Sequence, residues 1–303
     1  MASIKTLPKS EIGLNLPPLP VIGALILVYI IWGSTYLGGA IALESYPAFI
    51  VVYTRLLIAT VILMVILKLR HVPLPPMRQM LNAAVIGGMM FGGGAGLVSF
   101  AQQNGVASGL ASLGVAAVPL WATIFAFIFG DRPSRLEVVG LVIGISGVAI
   151  LNMEHGMQSQ PIGATALLIG PTLWAFGSMF SKRLTMPQGL MGTVFQMMGG
   201  SVVLIVMSLL NHEQFPAEPS LRSTLALILL AIFGTLIAFT AYMYLVRTVR
   251  PTLATSYAYV NPVIAVVLGI ILLAEQISST GMLAMFVIVT GVILLMMGKQ
   301  QRS

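Results

Sequence analysis

The chain contains no cysteine, so disulfides and thiolate metal sites are excluded and redox compartment leaves no mark on it. Charge is almost as scarce. Asp, Glu, Lys and Arg make up 8% of the 303 residues, against roughly 25% in a soluble domain. So few charges cannot coat a water-soluble globule of this size. The three histidines, His71, His155 and His212, lie scattered in connecting segments and form no ligand cluster. No Walker sequence and no His-Glu-x-x-His occurs, and no two acidic residues pair inside an apolar run. ATP hydrolysis and metal-assisted hydrolysis are therefore not expected. Neither are a catalytic residue, a bound metal or a cofactor.

What fills the chain is apolar: 58% of residues are hydrophobic and the mean hydropathy is +1.00. A helix needs about 20 apolar residues to cross the hydrocarbon. Ten stretches qualify, at 20–43, 47–68, 79–100, 106–129, 135–153, 161–181, 187–210, 220–245, 251–273 and 278–298. The expected fold is thus an all-α polytopic membrane protein of ten transmembrane helices. Pro20, Pro47, Pro161, Pro187 and Pro251 stand at span starts, where the missing N–H costs nothing. The first run is too long for a signal-peptide core, so it reads as an uncleaved span after a polar segment, 1–19.

The second half repeats the first. Gly33-Ser34 returns as Gly177-Ser178 and Gly147 as Gly291, each 144 residues on; Ala111 and Pro119 return as Ala254 and Pro262 at 143. Each half holds five spans, so the second copy must enter the membrane upside down. The reading is two inverted five-helix repeats, 20–153 and 161–298, with a short tail, 299–303. Charge placement agrees. With both termini cytoplasmic, thirteen of the fifteen Lys and Arg fall inside, Arg222 outside, and Arg55 within a span. The net charge of +7 is then a set of topology anchors, not a nucleic-acid patch.

The run Ile31-Trp32-Gly33-Ser34-Thr35-Tyr36, with Tyr53-Thr54-Arg55 behind it, resembles the EamA family of the drug/metabolite transporter superfamily. Trp174-Ala175-Phe176-Gly177-Ser178 and Leu253-Ala254-Thr255-Ser256-Tyr257-Ala258-Tyr259-Val260-Asn261-Pro262-Val263, with Glu275 beyond, resemble its YedA-like branch. The likeness runs from about residue 20 to 298. It implies a ten-helix bundle around a central cavity. It also implies export or facilitated movement of small metabolites or drugs across the bacterial inner membrane. One departure is Gly130-Asp131-Arg132, where family members often carry Gly-Glu; the second repeat has Ala274-Glu275.

Candidate functional residues follow from cost. Arg55 sits about 12 Å into its span at 1.5 Å per residue, and an ionisable residue there is a functional candidate. Three readings stay open: a structural pairing with Glu275 or Glu44, a gating pair, or substrate contact. Pro119 and Pro262 fall at matching places near the midplane, where each removes a backbone hydrogen bond; they are candidate gate kinks. Tyr257 and Asn261 share a helix face. Trp32, Ser34 and Thr35 recur in part as Trp174 and Ser178, and Trp121 follows Pro119. With Gln196 in span seven, the candidate cavity set is Trp32, Ser34, Thr35, Trp121, Ser178, Gln196, Tyr257 and Asn261. Gln102, Gln103 and Asn104 read as a solvated helix end. Gly88, Gly92 and Gly96, and Gly140 and Gly144, form small-residue rows for close packing. A monomer is expected, with a homodimer through these rows left open.

All eight acidic residues map to loops or helix ends. A proton-coupled pump normally buries a carboxylate in the membrane, so facilitated diffusion or weak coupling is expected. The expected activity is alternating-access transport of small neutral, zwitterionic or amphipathic solutes, with lipid and solute as the partners. The alternative is an exchanger of anionic solutes such as nucleotide sugars. Such a site needs several cations, and Arg55 alone is at hand. An integral-membrane enzyme has no catalytic set to support it.

Overall fold

The computed structural model describes residues 18–130, 132–153, 161–249 and 257–300. Among these, helix follows helix: α1 (Leu19–Leu43), α2 (Ala48–Leu69), α3 (Met77–Gln103), α4 (Ser108–Ile128) and α5 (Arg135–Asn152). Then come α6 (Pro161–Ser181), α7 (Leu190–Leu210), α8 (Leu221–Leu229, Leu230–Ile237 and Ala238–Thr248), α9 (Tyr257–Leu273) and α10 (Ser279–Gln300). Seven of the helices are long and apolar enough to cross a membrane. Large apolar side chains face outward all round, among them Ile26, Val61, Val202, Ile271 and Phe286. That suits a hydrocarbon solvent and would be an aggregation hazard in water. The expected segments 1–19 and 299–303 and the start of span nine fall largely outside the described residues.

Local sequence accounts for the helix ends. Pro18, Pro47 and Pro76 stand immediately before α1, α2 and α3, and Pro161 opens α6. α5 begins with a capping box: Ser134 Oγ accepts the Glu137 N–H, and Glu137 accepts the Ser134 N–H at 2.6 Å. His71, His212 and Ala274 leave their helices with φ 52°, and Gly130 with φ 102°.

The connections between most neighbouring helices are short, and the cross-links fall on two opposite faces. On the first face, Ser45 of the α1–α2 turn bonds Ser220 and Ser223, and Tyr46 bonds Thr224 at 2.9 Å. On the second, Asn82 bonds Thr185 and Arg183 donates to the Phe129 carbonyl at 2.6 Å. α6 starts on the first face, where a Cβ on Gly163 would touch Val106. α1 starts on the second.

Packing partners come in matched sets. α5 lies along α10, α2 along α7 and α4 along α9; α1 packs on α9 and α8, as α6 packs on α4 and α3; α3 meets α7 as α8 meets α2. The glycine rows are spent in these seams. Gly88 and Gly92 face Val203 of α7, and Gly291 of α10 packs on the backbone of Gly140 and Gly144. The rows offered for a homodimer are therefore filled by helices of the same chain. At Gly87 and Gly199 the approach is backbone to backbone, since a Cβ would land on Gln196 and on Ala84.

Two helices carry wider, π-helical turns: Gly88–Ala95 in α3 and Leu230–Ile237 in α8, beginning 142 residues apart. Such segments free backbone carbonyls and recur at functional sites. The two candidate gate prolines differ. α4 breaks at Ala117, with ψ −8°, two residues before Pro119, whereas α9 runs unbroken through Pro262.

Candidate functional site

A central cavity of about 550 Å³ opens between the helices. Both halves of the chain build its wall, with α1, α2, α3 and α4 from the first and α6, α8 and α9 from the second. Both π-helical segments reach it, through Phe91 and Gly94 in α3 and Gly234 and Thr235 in α8. Thr235 Oγ1 bonds the Leu230 carbonyl five residues back at 3.1 Å, and Trp32 Nε1 bonds the Gly234 carbonyl at 3.0 Å. The side chains thus take up part of the hydrogen bonding that the wider turn displaces.

The middle of the wall is aromatic. Trp32 meets the Tyr257 ring edge to face at 4.8 Å and Tyr242 at 5.0 Å, with Phe239 at 6.4 Å. Phe91, 6.4 Å from Phe239, continues the cluster to Trp174, which it meets edge to face at 5.4 Å. These contacts hold the rings in place along the wall.

One end of the wall is polar and lies under the α1–α2 turn. It holds Tyr36 and Gly39 of α1, Arg55 of α2, and Ser99 and Gln102 of α3. Gln102 Nε2 donates to the Tyr36 carbonyl at 3.0 Å. At the other end stands Lys182, exposed at the end of α6.

Of the residues singled out from sequence, Trp32, Thr35, Arg55, Pro119, Ser178, Tyr257, Asn261 and Pro262 lie on the cavity wall. Thr35 and Ser178 turn their hydroxyls back to the carbonyls of Trp32 and Trp174 at 2.6 and 2.8 Å. Asn261 is 5% exposed and, with its amide nitrogen facing the acceptors, donates to the carbonyls of Tyr29 and Tyr257 at 3.3 Å each. It pins α9 to α1 and does not reach the carbonyl freed by Pro262, which belongs to Ala258.

Other expectations are corrected. Ser34, Trp121 and Gln196 lie outside the wall. Ser34 Oγ is spent on the Ile31 carbonyl at 2.8 Å. Trp121 packs against the apolar cluster around Leu120, Leu151 and Ile288. Gln196 stands at the α3–α7 crossing, where its backbone fills the space beside Gly87. Glu275 does not face Arg55. Its carboxylate accepts the N–H groups of Ser108 and Gly109 at 2.7 and 3.1 Å, closing the start of α4. Glu44 pairs instead with Arg222 at 3.4 Å. Gln102 is no solvated end but part of the wall, and Gln103 accepts the Ala48 N–H at 2.6 Å.

Sequence reasoning missed Tyr36, Gly39, Phe91, Pro171, Trp174 as a wall residue, Thr235, Phe239 and Tyr242. The repeat offset offered one signal. Trp174 sits two residues before the position matching Trp32, close enough for both to serve the same chamber.

An apolar bundle of helices enclosing one solute-sized chamber defines a polytopic membrane protein. The chain belongs to the EamA-like transporter family, which matches residues 19–153 and 161–297. It is 46% identical over 281 residues to the inner membrane transporter YedA of Escherichia coli K12, covering 93% of this chain and 92% of that one. A probable terminal-alkyne amino-acid exporter of Streptantibioticus cattleyicolor is 24% identical over 254 residues, covering 83% and 85%. A protein crystal structure that is 20% identical superposes with a TM-score of 0.63, over 91% of this chain and 96% of the other; it shares the fold.

Proposed function

We propose that the chain is a ten-span transporter of the bacterial inner membrane, built from inverted repeats at 20–153 and 161–298, with both termini cytoplasmic. It moves small neutral, zwitterionic or amphipathic solutes by alternating access, as an exporter or a facilitator. The observation that carries this reading is the chamber itself: each half of the chain supplies part of one wall around about 550 Å³, a volume suited to a small organic molecule.

Several features support the arrangement. The helix contacts exchange into one another when α1–α5 are swapped for α6–α10, as a pseudo-twofold axis requires. The two π-helical segments and the left-handed residues His71 and His212 recur at repeat-like spacings of 142 and 141. Hydrogen bonds between the halves crowd the first face, at Ser45, Tyr46, Glu213 and Glu275. The exposed Lys182 marks the chamber's other end. Fewer bonds, from Asn82, Arg183 and Ser134, join the halves on the second face, so the reading is a carrier held shut on the first face and reached from the second, the cytoplasmic side under the charge bias. Among the described residues no carboxylate lines the chamber, which supports uncoupled or weakly coupled movement.

The test is counterflow in proteoliposomes preloaded with a mixture of unlabelled apolar amino acids and organic acids. Saturable uptake of a labelled member, without ATP and unaltered by an imposed pH gradient, is expected. Concentrative uptake driven by the gradient would overturn the coupling. Cysteines placed singly at Glu218 and Lys182 should take an impermeant maleimide from opposite sides of the membrane; labelling from one side would overturn the topology.

A further inference from the structure

Arg55 lines the chamber, and among the described residues it has no counter-charge. Its Nε is shielded from solvent and has no hydrogen-bond partner, and among the described residues no carboxylate comes within 4 Å of it. The described acids are committed elsewhere or distant. Glu44 faces Arg222; Glu213, Glu275 and Glu137 close the starts of α2, α4 and α5; Glu218 is exposed in the α7–α8 loop. Arginine does not shed its proton in a protein. The cost of shielding part of the guanidinium is therefore not relieved by neutralisation, and with no described acid beside it an anion entering the chamber would be favoured there.

The surroundings describe that anion. Tyr36 is the electrostatic neighbour of Arg55, with Ser99 and Gln102 on the same polar end. Trp32 stands four residues before Tyr36 on α1, so the aromatic cluster begins about 6 Å from this end. The other cation of the wall, Lys182, is exposed at the far end. One charge at one end and rings in the middle fit a singly charged head on an apolar body. A diphosphate would leave charge unpaired.

We propose that Arg55 anchors the carboxylate of the cargo, and that the cargo is an amphipathic monocarboxylate whose aromatic or branched body rests on Trp32 and Tyr257. This rests on the transport reading only in treating the ligand as cargo. A planar guanidinium takes both oxygens of a carboxylate at once, which a lysine does not.

The test uses the purified full-length protein and matched trios of acid, amide and amine: 3-phenylpropionate, 3-phenylpropanamide and 3-phenylpropylamine, with the same heads on indolyl and isobutyl bodies. In the wild type at least one acid should bind about tenfold tighter than its amide and raise the melting midpoint. Arg55→Gln should erase the preference, while Arg55→Lys keeps the preference at weaker affinity. The ligand-free midpoint of Arg55→Gln should equal or exceed that of the wild type, because an uncompensated charge has gone. If that variant does not fold, the wild-type preference and its weakening in Arg55→Lys decide the matter. The proposal is overturned if no acid outbinds its amide, or if Arg55→Gln keeps the preference. Arg55-dependent binding without counterflow would sustain the anion site and remove the transport reading. Counterflow of amides at the rate of acids would do the reverse.

Discussion

The Glu275 carboxylate accepts the Ser108 backbone N–H at 2.7 Å, so the turn between α9 and α10 closes the start of α4. The second oxygen takes the Gly109 N–H at 3.1 Å. A helix start leaves four N–H groups unpaired and carries partial positive charge. Glu213 serves α2 in the same way, through Phe49 and Ile50 at 3.3 and 3.1 Å. In both cases an acid from the second half of the chain caps a helix of the first, on the same face.

Removing this cap should cost stability without touching Arg55. Glu275→Ala is expected to lower unfolding free energy by about 1–2 kcal/mol, the worth of a helix cap with its charge. Combined with Arg55→Gln, the effects should add to within about 0.5 kcal/mol, because the two residues share no contact. A double-mutant cycle in detergent checks this. A coupling well above that value would restore the ion pair expected from sequence.

The α3–α7 seam should tolerate no added methyl group. Gly87→Ala or Gly199→Ala would place a Cβ on the facing backbone, where no side chain can move aside. Loss of monodisperse protein in size exclusion is expected for both. Gly23→Ala has open space around its Cβ and should gain about 0.5–1 kcal/mol from helix propensity. Equal behaviour of the three variants would contradict the seam.

Trp32 joins the aromatic cluster to a π-helical carbonyl. Trp32→Phe keeps a ring but loses the bond to Gly234, and should cost about 1 kcal/mol. Trp32→Ala also removes the ring contacts with Tyr242 and Tyr257. It should weaken ligand binding further than Trp32→Phe does. Titration of both variants with a ligand of the wild type measures the difference.

The first face should open during transport. Ser45 and Ser220 place their hydroxyl oxygens 3.2 Å apart, so cysteines at these positions would bring their thiols into direct contact. The native chain has no cysteine to interfere. In Ser45→Cys with Ser220→Cys, oxidation should stop counterflow and reduction restore it. Full transport by the cross-linked protein would end the alternating-access reading.

Much of the architecture was legible before any tertiary contact was known. A chain with so little charge has to face lipid, and the prolines at 47 and 161 mark helix starts by local chemistry alone. The glycines at 88 and 92 read as a packing row, which α7 fills. Gln102 misled because an amide at a helix end looks the same in sequence whether it meets water or the Tyr36 carbonyl. Trp121 and Trp174 could not be sorted either. Their helices are apolar all round, so no polar stripe shows which side faces the chamber.

Composition and local spacing by themselves determined the solvent of this protein, the ends of most of its helices and the rows along which they pack, since each depends on residues close in sequence. Only the tertiary structure decided that Glu275 goes to α4, that Arg55 faces the chamber with no described carboxylate beside it, and that the wider turns of α3 and α8 line it. Those outcomes depend on how each helix is rotated and slid against partners far along the chain. In a uniformly apolar helix, side-chain packing sets that rotation.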